Sequence, residues 1–142
     1  MTRVDFYVLP QNDPLQRLKF ACRLTEKAWS LGHQIHIHTT SEQETELLDK
    51  LLWTFKQSSF IPHGIHSVDT LTAQPITLSH NASPDTQEVL INLAAEVPLF
   101  FSQFDRVAEL VNQDDTIKQQ GRQRYSFYQQ RGYALETHTL SK

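Results

Sequence analysis

Val89-Leu90-Ile91-Asn92-Leu93 is the stretch that decides the fold. It is a nearly continuous apolar run, the pattern of a central strand covered on both faces. Such a strand needs helices above and below its sheet, and the rest of the chain supplies the alternation. Val4–Leu9 reads as a strand. Asp13-Pro14 then gives an N-cap and a favoured first helical residue for a helix reaching Ser30 and ending at Gly32. A second strand is expected near Gln34–Thr39. Ser41-Glu-Gln-Glu44 follows as a capping box before Leu47, Leu48, Leu51, Leu52 and Phe55, spaced as one helical stripe. Residues 57–74 read as loop, with His63 and His66 in it, and Ile76–Leu78 reads as a short strand. Ser79–Gln87 is a polar surface loop, Val107–Val111 a further strand, and Tyr133–Leu140 alternates like an edge strand after a last helix. The expected structure is one α/β domain over residues 1–142. Its sheet is mostly parallel and flanked by helices, a nucleotide-binding-like topology.

Composition narrows the function. At 142 residues and 39% hydrophobic content, the chain can bury roughly two-thirds of its unfolded surface as a single domain. No apolar run approaches the ~20 residues of a membrane span. The first residues read as too short and too acidic for a signal peptide, so the expectation is a cytoplasmic protein without membrane contact. A formal charge of −3 and a pI near 6.1 argue against strong direct binding of DNA. Phosphate binding in this topology needs glycines between the first strand and its helix. Leu9-Pro-Gln-Asn-Asp-Pro14 has none, and adds two prolines and an acid. The shape is that of a nucleotide-binding domain without a phosphate loop, and no cofactor is expected. Cys22, the one cysteine, falls among Leu18, Ala21 and Leu24 and reads as a small buried hydrophobe. Asn81-Ala-Ser83 fits a glycosylation sequon, which a cytoplasmic chain does not use.

Three groups of residues remain as candidates for chemistry. The last helix, from Asp115, carries Lys118, Arg122, Arg124 and Arg131 and no acid after its first turn. At about 100° per residue, Ile117, Gly121, Arg124 and Tyr128 share one side, while Lys118, Arg122 and Tyr125 form a neighbouring flank. That flank suits an acidic peptide end, two cations for carboxylates and a phenol ring for an apolar group, or is simply solvated. Trp53 projects off the apolar stripe of its helix near Phe60-Ile-Pro-His63, either as an anchor for a partner protein or as a second layer of core. Seven histidines invite a metal reading, with His36 and His38 on one face of a strand, yet no H-E-x-x-H or cysteine pair supports a metal site. From other classes, a small α/β enzyme would use His36, His38 or Asp114-Asp115. A single-strand binder would use Arg122, Arg124, Tyr125 and Phe127.

Several stretches together resemble the chi subunit family of bacterial DNA polymerase III holoenzyme. They are Asp49-Lys-Leu-Leu-Trp53 with Ser59-Phe-Ile-Pro-His63, Val89–Leu93, Phe104-Asp-Arg-Val-Ala-Glu-Leu-Val111, and Lys118-x3-Arg122-x2-Tyr125 with Tyr128 and Gly132. The resemblance implies a non-catalytic accessory subunit of the clamp loader with a nucleotide-binding-like fold and no nucleotide. It implies that the psi subunit faces Trp53, Phe60, Pro62 and His63. It also implies that Val111, Lys118, Arg122 and Tyr125 grip the acidic C-terminal tail of single-stranded DNA-binding protein. Some members of the family engage an iron-sulfur helicase through an overlapping surface. Gly121 departs from what a pocket-bearing helix favours, at a cost of about 1 kcal/mol relative to alanine, unless close packing against the sheet requires it.

Overall fold

The computed structural model describes residues 1–56, 61–66 and 74–141. Seven strands form one all-parallel sheet: β1 Arg3–Val8, β2 Ile35–His38, β3 His63–Ile65, β4 Ile76–Ser79, β5 Val89–Asn92, β6 Arg106–Val111 and β7 Ala134–Thr139. Their order is β3-β4-β2-β5-β6-β1-β7. Three helices, α1 Pro14–Ser30, α2 Glu42–Thr54 and α3 Asp115–Gln130, and a 3-10 turn at Phe101–Gln103 complete the described elements. β5 lies at the centre between β2 and β6, and Leu90, Ile91, Asn92 and Leu93 are all buried there.

The helix boundaries follow from their caps. Asp13 accepts a hydrogen bond from Leu15 N at 3.0 Å and Pro14 opens α1. Gly32, just past the last turn, has φ +90°, a conformation that favours glycine. Ser41 Oγ accepts from Glu44 N at 3.1 Å at the start of α2. The return bond of the expected capping box reaches one residue further back, Glu44 Oε1 accepting from Thr40 N at 2.9 Å. Leu48 and Leu52 are fully buried, with Leu51 and Phe55 packed beside them, whereas Leu47 stands 44% exposed. The buried stripe of α2 is therefore narrower than the leucine spacing implied.

Each side of the sheet has its own core. Ile35, Ile37, Ile76, Leu78, Ile91, Leu93, Ala108 and Leu110 face α1 and α2, and Cys22 is buried among them with its thiol pushed up to about 12 by desolvation. On the other side Val4, Phe6, Leu90, Val107 and Val111 pack against Phe101, Phe104 and Tyr128. β3 is the strand that sequence did not reveal. Three residues with a central glycine carry too little alternation to announce themselves. His63 belongs to that strand and pairs with Ile76, and His66 follows it, so neither sits in a free loop.

Toward β2 and β4 the second face turns polar. His36 is fully buried, its Nδ1 2.6 Å from Thr77 Oγ1, with Phe100 and Phe104 ring centroids 5.8 and 6.5 Å away. Burial lowers its pKa from 6.5 to about 3, with His38 and His66 adding to the effect, and burial lowers that of His38 as well. A depressed histidine contributes stability that is complete above the unfolded-state pKa and is lost as pH falls through 6.5 toward 3. Urea unfolding should accordingly show a loss on the order of 2 kcal/mol between pH 7 and pH 5 from this ring. A His36→Gln variant that folds should lose about one proton's worth of that slope, and an unchanged slope in it would place the acid sensitivity elsewhere.

Candidate functional site

The phasing of α3 is set by one buried carboxylate. Glu109 in β6 is fully buried and accepts hydrogen bonds from Arg124 Nε at 2.8 Å, Tyr128 OH at 2.7 Å and Asn92 Nδ2 at 3.0 Å. Arg124 Nη1 also donates to Ala95 O at 3.0 Å. Burial and the neighbouring carboxylate raise the Tyr128 pKa, so the phenol stays a donor. Arg124 is thereby a core residue, 3% exposed. Its expected place in a single-strand binding surface is overturned, because its guanidinium is committed to Glu109.

With Arg124 and Tyr128 turned inward, the flank made by Lys118, Arg122 and Tyr125 turns outward. Arg122 is exposed, Lys118 and Tyr125 half-buried. Tyr125 sets its ring edge-on to Phe6 at 5.2 Å and belongs to the rim of the second core with Leu135. Val111 lies under the helix, 7% exposed, directly against Gly121. A Cβ at position 121 would stand 2.8 Å from Val111 Cγ2 and 3.4 Å from Cγ1. Gly121 is thus a close-approach glycine that lets α3 lie low over the end of β6. The four residues expected to form the tail pocket are brought onto one helix flank and the strand end beneath it. Phe127 faces elsewhere, packed on Phe101 at 5.7 Å with Arg131 stacked over it at 3.6 Å.

The second expected cluster lies on the opposite face, at the end of α2. Trp53 is 45% exposed and its ring centroid is 4.4 Å from that of His63. His63 is buried, with Nδ1 2.6 Å from Ile61 O and Nε2 3.1 Å from Asp49 O and 3.2 Å from Asp49 Oδ1. Pro62 is half-buried beside it. Phe60 lies outside the described residues. Trp53 is a half-exposed indole set against the buried imidazole of His63.

The remaining candidates dissolve into structure. Asp114 is the N-cap of α3, accepting from Ile117 N at 3.1 Å, and Asp115 is exposed in the first turn. Asp5, Glu136 and His138 hold ligand-type atoms within 4.8 Å of one another. Their charges are already engaged: Asp5 binds Arg106 at 2.8 Å and His138 at 3.0 Å, and Arg3 bridges Asp5 and Glu136. No helix is long and apolar enough to cross a membrane among the described residues.

The fold defines the class: an α/β domain with an all-parallel sheet, a nucleotide-binding-like topology and a glycine-free turn after β1. The family model of the DNA polymerase III chi subunit, HolC, matches residues 1–136. The chain is 43% identical over 143 residues to the DNA polymerase III subunit chi of Pseudomonas aeruginosa, spanning 100% of this chain and 99% of that one. It is 31% identical over 138 residues to the Haemophilus influenzae subunit, spanning 96% of both chains, and 26% identical over 145 residues to that of Escherichia coli, spanning 98% and 99%. The chain belongs to the DNA polymerase III chi subunit family, accessory subunits of a replicative polymerase.

The packing at Gly121 yields a test. Helix propensity alone makes Gly→Ala worth about 1 kcal/mol in stability. Here the new methyl meets a stiff, buried valine, and overpacking costs roughly 1–3 kcal/mol. Gly121→Ala should lower the midpoint of denaturant unfolding, while adding Val111→Ala should recover part of the loss. A plain gain in stability for Gly121→Ala alone would show that the helix has room to rise.

Proposed function

We propose that the protein is a non-catalytic adaptor of the clamp loader. The psi subunit holds it at the surface of Trp53, Phe60, Pro62 and His63, and Val111, Lys118, Arg122 and Tyr125 grip the acidic C-terminal tail of single-stranded DNA-binding protein. The observation that carries this reading is the separation of the two clusters. Trp53 and His63 stand on α2 and β3, at one edge of the sheet and on its α1–α2 face, and the other cluster on α3 and the end of β6, over the opposite half and the opposite face. Two partners then bind at once without competing. Linking coated template strand to the loader in this way raises effective concentration rather than catalysing a step. Family membership supports the place of the protein in the holoenzyme.

At the tail site, Arg122 offers a planar fork to carboxylate, Lys118 a mobile point charge, and Tyr125 a wall for an apolar terminal side chain. Both cations are open to screening by salt, exposed Arg122 more than half-buried Lys118. Arg122→Ala should weaken binding of a tail peptide by about 1.5 to 3 kcal/mol, more than Lys118→Ala, and both losses should shrink in high salt. Tyr125→Ala should lose affinity with little change in salt dependence. Titration of the peptide into the three variants at two salt concentrations, with bare single-stranded DNA in parallel, measures this. Undiminished binding by Arg122→Ala removes the site, and tight binding of DNA without peptide binding replaces the function. In the same preparation Trp53→Ala should abolish binding of psi, with the tail still bound. Normal psi binding by folded Trp53→Ala removes that surface.

A further inference from the structure

The outer face of α3 carries arginines that no described carboxylate pairs. Residues 116–135 contain no Asp or Glu, although the chain has 16. An exposed helix face ordinarily sets acids three or four positions from its cations. Arg122 has Lys118, Gln119, Tyr125 and Ser126 at those positions, and Arg131 has Phe127 and Tyr128. Neither arginine makes an ion pair among the described residues, whereas Arg3 and Arg106 are both held by Asp5. Both border one shallow depression on that face, together with Gln123, Ser126, Phe127 and Gln130. The two arginines are the only charged residues in its lining. Its amides and its one hydroxyl both donate and accept hydrogen bonds, as a peptide backbone requires.

Arg131 is set in place by the helix itself. Its guanidinium stacks over the Phe127 ring at 3.6 Å, and Nη1 donates to Phe127 O at 3.2 Å. Its other donors have no partner among the described residues. An arginine already ordered loses less side-chain freedom when it meets a carboxylate. The side chain also folds back one turn toward Arg122. Five residues of helix separate Phe127 from Arg122, about 8 Å of axial rise. An extended segment of about four residues covers that rise and the way around the helix.

We propose that this depression is a second anion subsite of the tail-binding site: with the end of the acidic tail at Lys118, Arg122 and Tyr125, a carboxylate about four residues upstream in the same tail reaches Arg131. The segment between crosses the outer face of α3 over Gln123 and Ser126. This subsite rests on the proposed function, which puts the end of the tail at Arg122. It makes the protein hold a long acidic tail more tightly than its last residues alone. Two arginines on a chain of net charge −3 suit a few carboxylates better than a strand of phosphates.

The test compares two synthetic peptides, the last ~four and the last ~nine residues of the tail, titrated into the full chain at two salt concentrations. The longer peptide should bind about two- to fivefold more tightly, with a steeper fall in affinity as salt rises. Arg131→Met keeps an aliphatic stem over Phe127 and removes the charge, and Gln130→Glu sets an acid beside it. Each variant should bring the longer peptide down to the affinity of the shorter one, whose own affinity stays unchanged. Amides in place of the upstream acids of the longer peptide should do the same in the unaltered protein. Equal affinity for the two peptides, or a longer peptide indifferent to Arg131→Met, would overturn the subsite and leave the Arg122 site standing. No binding of either peptide would remove the tail site, and the subsite with it. Weaker binding of oligothymidylate by Arg131→Met, with the longer peptide undiminished, would give the depression to nucleic acid and overturn the proposal.

Discussion

Glu109 is the constraint on which the rest of the structure turns. A carboxylate in the middle of an apolar strand carries a desolvation cost of several kcal/mol unless its oxygens are fully paired. Here Asn92, Arg124 and Tyr128 pair them. Two of those donors are four residues apart on α3, so satisfying the carboxylate fixes the rotation of the whole helix. Gly121 is then inward against Val111, and Lys118, Arg122 and Tyr125 are outward as a consequence. Asn92 extends the same constraint to β5, and Arg124 to the turn at Ala95. A buried pair of this kind adds little net stability compared with apolar packing. What it adds is direction: a helix that slipped by one residue would leave a charge buried without partners.

Much of the architecture was legible in the sequence, because periodicity and caps report backbone structure directly. β6 runs over Arg106–Val111 and α1 opens at Pro14 under Asp13, where the strand and cap signals lie. Ile117, Gly121, Arg124 and Tyr128 shared one side of the last helix by spacing alone, and three of them are buried. Periodicity does not say which polar residues are inside. Arg124 looked like a surface cation because its partner is fifteen positions away on another element. The usable signal was the acid itself. Glu109 interrupts an apolar strand, and Asn92 interrupts its neighbour at the paired position. Two polar residues side by side within a buried sheet require a donor from the covering helix. Leu47 failed for the converse reason, since apolar spacing fixes a stripe but not how much of it the neighbouring layer covers.

At the end of the sheet where a nucleotide-binding domain holds its ligand, the chain places a side chain of its own. In open parallel sheets ligands bind outside the carboxyl ends of the strands. At those ends Arg17, 6% exposed, donates from Nε to Leu110 O at 2.9 Å and from Nη2 to Leu93 O at 3.1 Å. A guanidinium from the first turn of α1 thus caps the carbonyls of β5 and β6 where a glycine turn would have opened onto phosphate. Burial lowers its pKa, with Glu44 opposing that effect. Once the strand ends are closed, binding chemistry is left to the outer surfaces of the covering layers. The basic flank of α3 and the indole at the end of α2 are such surfaces. In the proposed function, their placement on opposite sides of one sheet lets a small domain hold two partners at a fixed relation.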